Sequence, residues 1–400
     1  MNTSVLLDRL PQYALPGISR DAQWVLGLMS QLRGGSIEVH MPGFSPLVMG
    51  QGDTVAQMNV HDMRVFSNIV QRGDIGFSES YLDGDWSTND LVSMLTLFVN
   101  NRSQIERAIY GSSLHLIWAK LRHAWLNRNT RKGSRRNIMA HYDLGNDFYR
   151  MWLDSSMTYS AAWFGSNATT DLHTAQVAKY QRMIDRLHLQ TGQHVLEIGC
   201  GWGGFAKQAT EQGVQVTGIT LSPSQLEFAQ RRAPAADLRL QDYRDLNQSF
   251  DHIVSIEMFE AVGESYWDEY FQTIKRSLKP GGHAMIQSIT IHDQLFAKYR
   301  KGTDFIQQYI FPGGMLPSRQ EFVKRAQAAG LQVIDQMAFG IDYAKTLAIW
   351  RQAFEERWPQ IREQGYGDDF RRLWRYYLCY CEAGFRAGSI DVVQFDLVHA

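Results

Sequence analysis

Cysteine is scarce in this chain of 400 residues, which has only Cys200, Cys379 and Cys381. Three cysteines offer neither a disulfide framework nor a convincing set of metal ligands. An excess of charge is missing as well, because 40 basic residues balance 41 acidic ones and the formal net charge is -1. A chain this close to neutral gives no global indication of nucleic-acid binding. We therefore expect no metal, no nucleic-acid partner and a reducing cytoplasm.

Long apolar runs are also absent, since no segment approaches the roughly 18 apolar residues that span a bilayer. The first residues, Met1 to Ser4 followed by Asp8 and Arg9, lack the charged start and apolar core of a secretory signal. A hydrophobic fraction of 44% is ordinary for a globular protein. Four hundred residues are more than one core usually organises, so we expect two domains.

A glycine-rich turn runs from Val195 to Phe205 with the sequence Val-Leu-Glu-Ile-Gly-Cys-Gly-Trp-Gly-Gly-Phe. It has the pattern of a buried strand that enters a turn and then a helix. Gly199, Gly201 and Gly204 fit G-x-G-x-x-G, in which glycines allow a tight turn and close approach of a ligand. This pattern indicates a cofactor loop, although it also fits nicotinamide or flavin sites and, less often, a turn without a ligand.

An acidic residue is missing where a dehydrogenase needs one. The second strand, Val214 to Thr220, continues into Leu221 and Ser222, so no carboxylate follows it to bind a ribose. The carboxylate instead lies at Glu197 inside the first strand, and a Leu-Lys-Pro-Gly-Gly turn at 278–282 leads into another apolar run. These features favour an S-adenosylmethionine (SAM) methyltransferase over a dehydrogenase.

Strand and helix patterns alternate after residue 190. This alternation predicts an α/β fold, a Rossmann-like SAM methyltransferase sheet with parallel strands and added helices. Loops at 199–204, at Thr220 and at 257–260 should then converge at the carboxyl ends of the strands. The predicted elements are Val195–Ile198, Phe205–Gln212, Val214–Thr220, Pro223–Arg232, Asp251–Ile256, Ser265–Leu278, Ala284–Ile291 and two long helical segments, Asp293–Ile310 and Tyr343–Arg386. The second long segment is rich in aromatic residues, which are more typical of plain core than of a substrate tunnel.

The first part of the chain predicts a smaller α+β domain, residues 1–120. Its predicted strands are Ser36–Met41, Leu47–Met49 and Thr54–Val60, and its predicted helices are His61–Arg72, Leu91–Asn100 and a pattern over Ile105–Leu126. A linker at 121–136 follows, and the catalytic domain spans 137–400. Between Lys120 and Arg136 lie seven basic residues and no acid. This stretch is either a solvated linker or a patch that docks on anionic lipid, while an RNA-binding stripe would lack a stacking platform.

Several ordered blocks resemble cyclopropane fatty acyl phospholipid synthases and the related mycolic acid methyltransferases. They cover most of residues 137–397, and the N-terminal part resembles the smaller, lipid-binding and dimerising domain of the bacterial phospholipid enzymes. The blocks are His141–Tyr149, Met157–Ser160, Leu196–Gly203, Gly218–Ser222, Ser255–Glu260, Tyr309–Ser318 and Tyr343–Leu347.

The resemblance implies that the π electrons of a cis double bond in a phospholipid acyl chain attack the methyl group of SAM. A base then removes a proton and a cyclopropane ring closes. Such a site must exclude water and stabilise a cation without trapping it, and aromatic faces suit that task. The resemblance also implies an enzyme that is peripheral to the inner face of the membrane, with a homodimer as a possible assembly.

In the family, the base is a bicarbonate ion held by a cysteine, a glutamate, a histidine, a backbone carbonyl and a tyrosine. The resemblance places the glutamate at Glu260, the tyrosine at Tyr343 and the carbonyl at Ile289. Ala161 stands at the cysteine position and Gln287 at the histidine position, and neither can carry a proton. One hypothesis is that bicarbonate still binds. The other is that proton loss is relocated, with Glu260 able to act as the base, so that the product is a methylated or methylene-bearing olefin.

The same resemblance and the SAM fold assign the cofactor site. Glycine-loop backbone and Glu197 should hold the methionine part, Tyr159 and Ser160 should lie near its carboxylate, and the other residues should contact the ribose and adenine. For Gln225 and Asp242 a solvated position or a helix cap is nearly as good an interpretation. The alternative to an enzyme is a protein that binds SAM or lipid without catalysis. The assigned residues are Tyr159, Ser160, Glu197, Gly199, Gly201, Thr220, Leu221, Gln225 and Asp242.

Overall fold

The computed structural model describes residues 16–103, 105, 144–166 and 170–400. Its N-terminal region contains a small sheet flanked by helices. The strands are β1 (Gly35–His40), β2 (Leu47–Gln51), β3 (Thr54–Val60) and β4 (Trp86–Thr88), and the helices are α1 (Arg20–Met29), α2 (Arg64–Leu82) and α3 (Leu91–Asn100). The strand order is β2-β1-β3-β4, with β1 antiparallel to β2 and parallel to β3.

Most predictions for this region are confirmed, and one helix is longer than predicted. The strand at 54–60 and the helix at 91–100 have the predicted bounds. The predicted helix His61–Arg72 begins at Arg64 and continues to Leu82, with a kink at Gly73, where φ is 61°. Only glycine adopts such a backbone readily, so the predicted end marks the kink rather than the end of the helix. The linker at 121–136 lies outside the described residues, as does most of the helical pattern before it.

The C-terminal region forms a seven-stranded sheet in the order β10-β11-β9-β8-β5-β6-β7. Four predicted strands, β5, β6, β8 and β9, pair in parallel as expected, and β7, which was not predicted, joins them. β11 alone is reversed, because it runs antiparallel to both β9 and β10. The sheet is therefore mixed, and β10 and β11 were also missing from the prediction. The strands are β5 (His194–Ile198), β6 (Gln215–Thr220), β7 (Asp237–Leu240), β8 (His252–Ile256), β9 (Ala284–Ile291), β10 (Leu331–Ala338) and β11 (Ile390–His399).

Helices pack against both faces of this sheet. They are α4 (Gly145–Arg150), α5 (Leu172–Arg186), α6 (Gly204–Glu211), α7 (Pro223–Arg232), α8 (Phe259–Val262), α9 (Trp267–Ser277), α10 (Asp293–Tyr299), α11 (Arg319–Ala328), α12 (Gly340–Glu356), α13 (Trp358–Glu363) and α14 (Asp368–Arg386). A π-helical turn at Ile306–Ile310 follows α10, and such turns are frequent at functional sites.

Both long helical segments of the prediction are interrupted. The first ends at Tyr299, and Asp304 then starts the π-helical turn by accepting a hydrogen bond from the Gln307 N–H at 2.9 Å. The second is three helices, because Pro359 near the start of α13 has no N–H to continue α12. Glycines at 365 and 367 separate α13 from α14.

The N-terminal region packs on the C-terminal helices through one continuous apolar cluster that contains residues of both. Polar contacts cross the same boundary: the Ser78 hydroxyl donates to the Tyr376 hydroxyl at 2.9 Å, and Arg372 donates to the Leu82 carbonyl at 2.8 Å. Helix α14 therefore bridges the two regions. Within the described residues, no helix has the length and apolarity to cross a bilayer.

We predict that Gly282→Ala destabilises the sheet through the turn that precedes β9. A Cβ at Gly282 would lie 2.2 Å from the backbone carbonyl oxygen of Asp251, and backbone cannot give way as a flexible side chain can. Overpacking of this kind should lower the free energy of unfolding by about 1–3 kcal/mol. Urea unfolding measures the change. Gly302→Ala is the control, because nothing comes within 3.8 Å of its added Cβ; equal effects of the two substitutions would contradict the packing argument.

Candidate active site

The glycine loop (199–204) joins β5 to α6 and leaves no room for a side chain at two of its positions. Gly199 has a φ of 84°, and a Cβ there would lie 2.9 Å from Cγ of Met258, two residues after β8. A Cβ at Gly204 would lie 2.6 Å from the Tyr180 hydroxyl. Gly201, with a φ of 49°, has open space around its Cα. The loop can therefore present backbone closely to a ligand, next to the loop that follows β8.

Glu197 lies in β5 directly before this loop and is almost completely buried. One carboxylate oxygen, Oε2, has no hydrogen-bond partner in the described part of the chain. Burial raises the pKa of Glu197 well above its ordinary value, while the Arg232 and Lys179 charges favour its ionised form. A buried, unpartnered carboxylate oxygen beside a glycine loop fits a ligand with an ammonium group, such as the methionine part of SAM.

The loops after β6 and β7 hold the other predicted cofactor residues. Thr220 donates from its hydroxyl to the Gln225 side chain at 3.2 Å, and Leu221 follows as a half-buried residue. The Asp242 carboxylate forms a two-point ion pair with Arg244, at 2.6 and 2.9 Å, and caps a short 3₁₀ turn. Asp242 thus has the capping role considered from the sequence, and its contact with adenine stays a prediction.

Asn146 ties the glycine loop to α7. Its side-chain oxygen accepts a hydrogen bond from Trp202 Nε1 at 2.7 Å, and its amide donates to the Ser224 carbonyl at 3.1 Å. Asn146, which belongs to the block His141–Tyr149, therefore links the glycine loop to the start of α7.

Tyr159 and Ser160 lie near a buried lysine that the sequence analysis missed. Lys179 on α5 donates to the Ser160 hydroxyl at 2.6 Å and to Gln176 at 2.8 Å. Its complete burial lowers the pKa of its ammonium group to about 7. The Tyr159 hydroxyl shares a hydrogen bond of 2.6 Å with the Tyr377 hydroxyl. The order Gln-x-x-Lys on a helix was the available signal for Lys179, but such a lysine usually lies on a solvated face.

The predicted anion-site residues converge on a carboxylate that the sequence analysis did not assign. Glu257 follows β8, and its Oε1 accepts hydrogen bonds from the Ala161 N–H at 2.8 Å and the Gln287 side-chain amide at 2.7 Å. Its Oε2 accepts from the Tyr343 hydroxyl at 2.8 Å. Burial keeps the Tyr343 phenol protonated by raising its pKa well above the ordinary value, so it donates. Three of the residues predicted to hold a bicarbonate ion thus donate to Glu257.

Glu260 forms the second half of this carboxylate pair (Glu257 and Glu260) and has a different environment. Its Oε1 accepts from the Ile289 backbone N–H, while its buried Oε2 has no hydrogen-bond partner among the described residues. Burial, and then the charge of Glu257, raise the pKa of Glu260 to about 8. Burial also raises the pKa of Glu257, but the Lys179 charge and three donors oppose that rise. The three donors and the Lys179 charge therefore favour the ionised form of Glu257, whereas Glu260 holds its proton at neutral pH.

A chain of amides fixes the direction in which Gln287 donates. Arg182 on α5 donates to the side-chain oxygen of Gln394 on β11, and Gln394 donates to the Gln287 oxygen at 3.0 Å. The Gln287 oxygen is then occupied, so its NH₂ group faces Glu257. Because Gln394 lies on β11, the reversed strand between β10 and β9, an unpredicted part of the sheet supports the site.

Glu257 also has an unusual backbone, with a φ of 50°. Residues other than glycine seldom adopt this left-handed conformation, which costs on the order of 1–3 kcal/mol and is found most often at functional sites. The signal in the sequence was Ser-Ile-Glu-Met-Phe-Glu, two carboxylates three residues apart directly after a buried strand. The resemblance to the family assigned a role only to the second of them, Glu260.

The sheet order, the glycine loop and the buried acid of β5 define the class of this protein, a SAM-dependent methyltransferase. Comparison with solved structures agrees. Mycolic acid cyclopropane synthase CmaA1, in complex with SAH and CTAB, superposes with a TM-score of 0.62 at 33% identity over 66% of this chain and 97% of that one.

The chain belongs to the mycolic acid cyclopropane synthetase family, whose model matches residues 129–395. It is 39% identical to the tuberculostearic acid methyltransferase of Mycobacterium tuberculosis, over 82% of this chain and 80% of that protein. It is 36% identical to the cyclopropane-fatty-acyl-phospholipid synthase of Escherichia coli, over 86% of this chain and 88% of that protein.

We predict that the stability of the wild type depends on pH through Glu260, and that Glu260→Gln removes this dependence. Glu260 binds its proton more tightly in the folded protein than in the unfolded one, where its pKa is near the usual 4.5. Its contribution is therefore greatest below pH 4.5 and falls as the pH rises toward about 8. The stability of the wild type relative to the variant should fall by up to ~1.4 kcal/mol per pH unit in that window and then level off.

Urea unfolding at intervals between pH 5 and pH 9 on the two proteins checks this. The exposed Glu227, substituted by Gln, is the control and should leave the slope unchanged. Parallel curves for wild type and Glu260→Gln would show that Glu260 is not held protonated.

Proposed function

We propose that this protein transfers the methyl carbon of SAM to the double bond of an unsaturated acyl chain in a phospholipid. The observation that carries the proposal is an apolar cavity of about 850 Å³ that begins at the carboxylate pair. Its volume is within the range of about 300–1,000 Å³ that is typical of ligand sites. Tyr159, Ile289 and Tyr343 line it beside Glu257 and Glu260.

The other end of this apolar cavity lies in the N-terminal region. Leu28 and Leu32 line it from α1 and its C-terminal side, and Phe77 and Phe98 line it from α2 and α3. A long, apolar and narrow ligand would contact both regions at once. This arrangement supports an acyl chain as the substrate, with its double bond at the carboxylate pair, and it gives the N-terminal region a role in lipid binding.

The walls near the carboxylate pair suit a reaction through a cation. SAM supplies an electrophilic methyl group. The rings of Tyr159, Tyr343, Tyr377 and Phe311 line the cavity there, and the faces of such rings attract cations without offering a strong nucleophile. Apolar surroundings exclude water that would otherwise capture the cation. Burial holds the phenols protonated by raising the pKa of Tyr343 and Tyr377 well above their ordinary values.

Ring closure to a cyclopropane fatty acyl chain is the product that we place first. The altered anion site, where Ala161 and Gln287 replace the expected cysteine and histidine, is the reason to consider a second product. That product is a methyl-branched or methylene-bearing unsaturated chain from a C-methyltransferase. The relatives include one named as a methyltransferase and one named as a cyclopropane synthase.

We place the reaction at the cytoplasmic surface of a membrane, where phospholipid is found, with the basic stretch between Lys120 and Arg136 as a lipid contact. That stretch lies outside the described residues. A homodimer formed through the N-terminal region is part of the same proposal.

The experiment for the reaction incubates the purified protein with SAM and vesicles of cis-unsaturated phospholipid. The released fatty acids are then analysed by NMR. We expect cyclopropane ring protons; a methyl or methylene group on a chain that stays unsaturated would identify the second product. Unchanged lipid, together with tight SAM binding, would overturn the proposal and point to a SAM-binding or lipid-binding protein without catalysis.

We also predict that Leu28→Trp shifts the preferred acyl length. A larger ring at position 28 should fill the N-terminal end of the apolar cavity, so activity on long chains should fall while shorter chains retain it. The checks are kcat/KM on vesicles of two chain lengths and circular dichroism for folding. The exposed Val48, which does not line the cavity, provides the control Val48→Trp. A uniform loss on both lengths would contradict a role in chain length.

A further inference from the structure

We propose that the Glu257 carboxylate is the base of this enzyme and occupies the place of the bicarbonate ion on which the family relies. The inference rests on the proposed function, because it names the group that receives the proton in that reaction. Its geometric basis is the set of donors around one side chain.

The donors around Glu257 correspond to those expected around a bound anion. Tyr343 and position 287, two of the predicted bicarbonate ligands, donate at 2.8 and 2.7 Å to opposite oxygens of the Glu257 carboxylate. The backbone N–H of Ala161, the expected cysteine position, donates at 2.8 Å. A carboxylate and a bicarbonate ion both present two oxygens that share one negative charge, so one can replace the other in the same set of donors.

The residues present do not fit a second anion beside this one. Ala161 has no polar side chain, and Gln287 directs its amide to Glu257 because Gln394 occupies its oxygen. Glu260 lies next to Glu257 and is held neutral by burial and by the Glu257 charge. A bicarbonate ion at this point would place another negative charge against an ionised carboxylate in an apolar cavity, which is strongly unfavourable.

The Glu257 side chain still has room to receive a proton. Each carboxylate oxygen has two lone-pair sites, and within the described part of the chain Oε2 accepts only from Tyr343. Glu257 lines the apolar cavity beside Tyr159 and Tyr343, and its backbone is left-handed, with a φ of 50°. The strained position is therefore consistent with a functional requirement.

When the alkene takes the methyl group, the carbon–sulfur bond breaks and its electron pair stays on sulfur. A C–H bond of the acyl-chain cation then breaks, and its proton bonds to Oε2 of Glu257. The electron pair of that C–H bond forms either the third side of a cyclopropane ring or a new carbon–carbon double bond, and the cation is neutralised. The proton leaves Glu257 for solvent after product release.

A pair of variants tests this assignment. Glu257→Ala removes the carboxylate and leaves a space of its size, whereas Glu257→Gln fills that space without a base. Both should lower kcat by about 10²–10⁴-fold, the range that a positioned general base contributes. Added bicarbonate or formate should restore part of the activity of Glu257→Ala but not of Glu257→Gln. The exposed Glu363, substituted by Gln, is the matched control and should keep wild-type activity.

Bicarbonate itself supplies a second measurement. Wild-type turnover in buffer freed of carbon dioxide should equal turnover with added bicarbonate. Line broadening of isotope-labelled bicarbonate in carbon NMR should be seen with Glu257→Ala and not with the wild type, and this binding test does not depend on any lipid. SAM affinity by calorimetry should be unchanged in all variants, which confirms that they are folded.

The outcomes separate the two proposals. A wild type that binds bicarbonate or needs it for turnover overturns the role of Glu257, as does a fully active Glu257→Gln. A wild type that leaves unsaturated phospholipid unchanged overturns the proposed function, and in that case the bicarbonate-binding comparison still decides whether Glu257 occupies the anion position.

Discussion

The buried charge of Glu257 is the constraint on which the active site depends. A carboxylate without donors in an apolar interior is strongly unfavourable, so donors must be brought to it. The chain supplies them from three distant segments, at Ala161, Gln287 and Tyr343. Each of these residues is held in place by the same hydrogen bonds that stabilise the charge. One side chain therefore links β9, α12 and the loop before α5.

The same site shows why two carboxylates can lie together in an apolar cavity. If both were ionised, their repulsion would add to the cost of burial, so the pair separates its protonation states. Glu257 receives three donors and the field of Lys179, while Glu260 receives the Ile289 N–H and keeps a proton. Two identical side chains thus take different roles through their surroundings alone, a pattern common to acid and base pairs.

The apolar cavity links the two regions of the molecule in a single functional unit. Aromatic residues of α14 contact the N-terminal region on one side and α12 on the other. The ring centroids of Tyr81 and Tyr376 are 5.3 Å apart, and those of Phe385 and Tyr343 are 4.5 Å apart. Residue pattern alone favoured plain core for the aromatic stripe of this helix, and the family resemblance raised the expectation that part of it lines an acyl pocket. Tyr376 and Tyr377 are indeed buried, but both also line the cavity, so part of the stripe serves both purposes. In the proposed function, core and substrate wall coincide because an acyl chain needs the same apolar surroundings as a side chain.

Local patterns in the sequence determined the parallel half of the sheet, the glycine loop and the class of cofactor, since these depend on the alternation of neighbouring residues and on glycine turns. They did not determine β10 and β11, whose pairing depends on contacts between distant segments, or the breaks in the two long helical patterns. The resemblance to a family grouped Tyr343, Gln287 and Ala161 with Glu260 around a bicarbonate ion and gave Glu257 no role. Only the tertiary structure decided that they surround Glu257, because a hydrogen bond between residues some 30 to 100 positions apart leaves no periodicity in the sequence.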